Sequence, residues 1–144
     1  MKKLLFAALS LVISLSAYAQ QQQMSPEERE KKMAEAIQKE VDRLENSLKL
    51  EDWQVFFADS ILNHDYRAMQ NEMNEMMEAK VSSSDLYQKV GDKWGERIYN
   101  SMHKILNEEQ WAKYLKSGAG REKKARDKRK AKIAASAAIV KEND

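Results

Sequence analysis

His64 and His103 are the only imidazoles in the 144 residues, so metal binding or acid–base work would have to begin there. Zinc at either position needs carboxylate help, and Asp65 stands beside His64 to give it. With no further histidines in a cluster, both are thin metal candidates, and solvent-facing imidazoles are the plainer reading. Met69, Met73, Met76 and Met77 recur at helical spacing. They suit an ordinary core, or a soft apolar surface that re-packs against varied partners, or copper(I) ligation through thioethers. The carboxylates are spread along the chain among basic neighbours, as on solvated helix faces. There is no nucleophile elbow, phosphate-cradling glycine loop or metal-ligand cluster, which reads as a non-enzymatic protein without a cofactor. The absence of cysteine excludes disulfides, thiolate metal sites and cysteine nucleophiles.

The elements that position these residues are helices. One proline, four glycines and 33% charged residues, with few β-branched runs, indicate an all-α protein. Residues 1–19 combine Lys2 and Lys3, an apolar run from Leu4 to Leu15 and Ala17-Tyr18-Ala19, which predicts a signal peptide cleaved after Ala19 and an exported chain. No later run approaches the roughly 20 apolar residues that span a bilayer, so stable membrane insertion is not expected. Without Lys2 and Lys3 the 25 basic residues become 23, equal to the 23 acidic ones. The balance is polarised: residues 20–112 carry 12 basic and 19 acidic side chains, and residues 113–144 carry 11 and 4.

Residues 20–25 read as a polar leader. Ser25-Pro26-Glu27-Glu28 then opens a helix in which Met33, Ile37, Val41, Leu44 and Leu48 form one apolar stripe. A second helix spans about Asp52 to Lys80, with Phe56 and Phe57 broadening its apolar side. A third follows Val81-Ser82-Ser83-Ser84-Asp85 and carries Gly91 and Gly95, which mark either a close helix approach or a bend. A fourth starts at Asn107 and is broken by Ser117-Gly118-Ala119-Gly120. The basic run beyond, within 118–144, is open to a second, solvated helix or to disorder, and weak order is favoured because its charges repel and no apolar stripe is sustained. Trp53, Trp94 and Trp111, with Phe56 and Phe57, read as core and interface anchors.

Ile105-Leu-Asn-Glu-Glu-Gln-Trp111 has an internal logic. Asn107 is a good N-cap, Gln110 can return the bond, and Leu106 with Trp111 forms a hydrophobic staple. Leu50, Gln54 and Val55 repeat the pattern, although Glu51 is a poor cap and Asp52 is an alternative. Val81 and Leu86 repeat the staple around Ser82 and Asp85. Shared junctions of this kind imply short turns between antiparallel helices, about four in all.

Two helix-opening motifs of the form L-T-x-x-Q are the signature of the Spy/CpxP family of periplasmic proteins, and residues 27–117 resemble it. Leu50-Glu-Asp-Trp-Gln54 matches the first copy and Leu106-Asn-Glu-Glu-Gln110 the second, with the threonine replaced in both. The resemblance implies a periplasmic, cradle-like antiparallel homodimer. It also implies an ATP-independent chaperone that binds unfolded or misfolded envelope proteins, with Phe56, Phe57, Met69, Met73, Met76 and Met77 as the expected client surface. Relatives on the same scaffold serve as envelope-stress signalling accessories or bind zinc or copper. Export makes nucleic acid an unexpected partner.

Overall fold

The computed structural model describes residues 24–142, with side chains as far as residue 136. The segment expected to be a signal peptide, residues 1–19, and most of the expected polar leader lie outside the described residues. Within them all regular structure is helical: α1 Pro26–Leu48, α2 Asp52–Glu78, α3 Ser84–Ile105, α4 Glu108–Tyr114, a π-helical turn Leu115–Ala119, and α5 Gly120–Glu142.

Two compact units meet within α1, between Ala36 and Ile37. The described part of the first is the opening of α1. There the Ser25 amide donates to Glu28 Oε2 at 2.9 Å and the Glu28 amide donates to Ser25 Oγ at 3.2 Å, a reciprocal cap on two otherwise unpaired donors. The second unit holds the buried core. Ile37, Val41, Leu44 and Leu48 line one face of α1 because steps of four, three and four keep them on one stripe. Ala58 and Leu62 of α2, Val90, Ile98 and Met102 of α3, and Leu106 complete it. Each large apolar side chain buried here stabilises by about 1.5–3 kcal/mol.

Polar groups fix how α2 and α3 pair. Asp65 is only 3% exposed, and its carboxylate accepts from Arg97 Nε at 3.0 Å while His64 Nδ1 lies 2.7 Å away. Glu72 accepts from Lys93 and from Trp94 Nε1, the latter at 2.8 Å; these two bonds hold its carboxyl below the usual range. Arg97 and Lys93 also lie over the Trp94 ring.

Helices α1 and α2 end with lysines in the left-handed region, Lys49 and Lys80, each with φ of 54°. The Leu50 amide donates to Glu45 O at 3.2 Å and the Val81 amide to Met76 O at 2.9 Å, the wrap-around bonds of a Schellman close. The junction before α3 departs from the expected pattern. Ser83, not Ser82, is the N-cap, its side chain makes no capping bond, and Leu86 is 43% exposed. The physical reason is that the Leu86 backbone amide donates to the Ser83 carbonyl at 3.2 Å and not to the hydroxyl, and the leucine side chain has no acceptor for the Ser83 amide.

Of the two forms open to the basic segment, the structure has the helical one, from Gly120 to Glu142. Self-repulsion is relieved because α3 supplies carboxylates. Arg129 donates to both oxygens of Asp92, at 2.7 and 2.6 Å, and Arg126 Nε donates to Glu96 at 3.2 Å. The Arg126 guanidinium also lies 5.6 Å from the Tyr99 ring centroid. A Cβ on Gly95 would stand in ordinary contact, 3.4 Å from Arg126 Nη1. Of the two roles open to these glycines, a bend is not seen, since α3 runs unbroken through both.

The hydrogen bonds from Arg129 hold the Asp92 carboxyl below its ordinary value. A carboxylate depressed on folding stabilises above its unfolded pKa of about 4, and that contribution is lost as pH falls through the lower folded value. Thermal melts followed across this acidic window are expected to fall less steeply for Asp92→Asn than for the wild type, with the variant already weaker at neutral pH.

Candidate functional site

The two motif glutamines meet. Gln54, 2% exposed, and Gln110, 6% exposed, face each other from the first turns of α2 and α4. Gln54 Nε2 donates to Gln110 Oε1 at 2.7 Å, and Gln110 Nε2 donates back to Gln54 Oε1 at 2.9 Å. Each carbonyl oxygen also accepts from the N-cap amide of its own helix, Glu51 N at 2.9 Å and Asn107 N at 3.0 Å. Each amide nitrogen donates again to the backbone leading into the other helix: Gln54 to Ile105 O at 2.7 Å and Gln110 to Lys49 O at 3.3 Å. Ile105 lies two residues before the cap Asn107, and Lys49 two before the cap Glu51, so the arrangement has an approximate two-fold relation. All donor and acceptor positions of both amides are filled, which buried polar groups require.

This pairing was not readable from either motif alone, where each glutamine has a sufficient local job as a box partner. The signal was the repetition itself together with burial on both faces. At the second copy Asn107 caps as expected, accepting from the Gln110 amide at 2.9 Å. At the first, Glu51 and not Asp52 occupies the cap position, because the bond from its backbone amide to Gln54 fixes the box. Leu106 is buried and Leu50 half-buried beside the clasp.

One turn beyond it, the exposed side of α2 carries aromatic rings. Phe56 is 70% exposed, Trp53 49% and Phe57 48%, so these three are not the core anchors their type suggested. They contact one another edge to face, with centroids 6.2 Å apart for Trp53–Phe57 and 5.6 Å for Phe56–Phe57. Trp53 Nε1 donates to Glu51 at 3.1 Å, which ties the cluster to the cap. The methionines do not form one surface with them. Met69 lines a cleft, Met73 has its methyl 3.9 Å from where a Gly91 Cβ would sit, Met76 is half-buried and Met77 is 52% exposed.

That cleft, of about 490 Å³, lies among α1, α2, α3, α4 and α5 within the second unit and is walled by Tyr66, Met69, Ile98, Tyr99 and Tyr114. Burial, with Glu40 and Glu122 nearby, pushes Tyr114 up to about 12 and raises Tyr66, so both phenols stay protonated. The histidines are apart from it. His64 pairs with Asp65, and His103 lies against Trp111 with centroids 4.3 Å apart. Among the described residues no group of three histidine, aspartate or glutamate side chains could hold a metal ion.

Replacing Gln54 or Gln110 by leucine leaves buried amides unpaired at both junctions, and each single change is expected to cost about 2–3 kcal/mol in urea unfolding. The double substitution should cost less than the two singles together, by about 1 kcal/mol or more, because the partners are removed as a pair. Comparison with protein-family models, with curated proteins and with solved structures finds no match, so the reading of this site rests on its own geometry.

Proposed function

We propose that this chain is an exported, ATP-independent chaperone of the Spy/CpxP type that binds unfolded envelope proteins and suppresses their aggregation. The observation that carries the reading is the Trp53–Phe56–Phe57 cluster. Three adjoining rings held in water on a regular helix are an apolar surface without an internal use, and such surfaces mark binding sites. The two glutamine motifs, each opening a helix, support the family assignment.

The mechanism has two steps. On its outer side helix α2 carries Asp52, Glu75 and Glu78, with Asp59 half-buried, while Asp65 and Glu72 are taken up by Arg97 and Lys93. The acidic surface draws basic client segments at long range, an encounter that salt weakens. The rings and Met77 then make loose apolar contact, which accepts many sequences because rings and thioethers impose little directional demand. An antiparallel α2–α3 hairpin is part of the proposal, supported by the order of contacts, Gln54 with Ile105, Asp65 with Arg97 and Glu72 with Lys93, in which one number rises as the other falls. The homodimer is proposed from the family resemblance alone.

The test is light scattering from a protein diluted out of denaturant, with residues 20–144 added at increasing ratios without nucleotide. Suppression near equimolar ratio, weakened by salt, is expected. Phe56→Ser with Phe57→Ser should weaken suppression several-fold while changing stability by only about 0.5 kcal/mol per site, since both rings are exposed. Absence of suppression by the wild type at large excess would refute the chaperone reading.

A further inference from the structure

The inward face of α5 is occupied: Lys123, Arg126 and Arg129 pair with Glu96, Asp127 and Asp92. The outward face is not. Arg121, Lys124, Lys128 and Lys132 are all exposed, and none of their side chains has an ion-pair or hydrogen-bond partner among the described residues. Their spacing of three, four and four places them within an arc of about 80°, along roughly 16 Å of helix, with no acidic residue inside the arc. Four aligned cations whose side chains have no acidic partner form a surface for an external anion.

We infer that this stripe docks the protein on the headgroup plane of an anionic phospholipid bilayer. A folded acidic partner fits poorly, because a stable protein interface needs a desolvated centre with aromatic or aliphatic anchors and the stripe has none. A nucleic-acid groove fits poorly too, because it surrounds a helix with phosphates on both flanks. Here one flank is turned to the carboxylates of α3, and Asp127 is at the edge. A plane of phosphates meets only the outward face. Past Lys132 the helix continues through Ile133, Ala134 and Ala135, all exposed, with Ile133 turned to the α3 side beside Asp92 and Arg126 and only alanine continuing the line of the cations. No helix among the described residues is long and apolar enough to cross a membrane, so attachment is peripheral and driven by charge.

The experiment is co-sedimentation of residues 20–144 with vesicles of phosphatidylcholine alone or mixed with phosphatidylglycerol, at low and raised salt. Binding is expected only to the anionic vesicles, with release as salt rises. Lys124→Glu with Lys128→Glu should lower the apparent affinity at least about tenfold. Lys31→Glu with Lys32→Glu, the same change in net charge placed on α1, should change it by no more than about twofold. Circular dichroism establishes that both variants keep their helix content. The inference is overturned if anionic vesicles are not bound at low salt, or if the two variants behave alike. It is also overturned if a DNA duplex of equal phosphate concentration is bound more tightly than the vesicles.

Discussion

The meeting of the starts of α2 and α4 depends on the pair of amides at Gln54 and Gln110. A helix start needs its first backbone donors satisfied, and one glutamine per helix suffices for that. Pointing each amide also at the opposite helix turns two local caps into one long-range bond set between residues 56 apart in sequence. The cap at α2 is then complete only when the cap at α4 is complete. The aromatic cluster that begins at Trp53 inherits its position from this, through Glu51, which is both the α2 cap and the acceptor for the Trp53 indole.

The clasp and the docking of α5 are different in kind. Carboxamides carry no charge, so the clasp is indifferent to salt and to ordinary pH. The contact between α5 and α3 rests on guanidinium–carboxylate pairs and a cation over Tyr99, with Ile133 left half in water. Exposed pairs of this sort contribute little one by one, and bidentate geometry such as Arg129–Asp92 is the favourable case. The molecule therefore has a part whose order is insensitive to its ionic surroundings and a part whose order depends on them.

Much of this was legible in the sequence and some was not. The apolar stripe Ile37, Val41, Leu44, Leu48 declared its helix and its buried face, because periodicity is a local property. The cap at Asn107 was legible for the same reason. The role of Gln54 beyond its own box was not, since a reciprocal amide pair depends on which two helix starts meet in space. The helix at Gly120–Glu142 was the less favoured of two readings because its charges were weighed against each other alone, whereas Asp92 and Glu96 on α3 pair with several of them. For Trp53, Phe56 and Phe57 residue type alone left core, interface and client-facing roles open, and only the placement of α2 shows them in solvent.

The link between α4 and α5 has a consequence of its own. Gly118 has φ of 123°, a conformation that side chains with a Cβ rarely adopt, and a Cβ on Gly120 would sit 3.0 Å from the Leu115 carbonyl oxygen. The direction in which α5 leaves α4 is thus written into two glycines and a single wide turn, independently of the ion pairs further along. When those pairs open, α5 remains tethered to its partner surface by a handful of residues. Its re-docking is then an intramolecular event at high effective concentration, sensitive to the length of that turn and insensitive to how dilute the protein is.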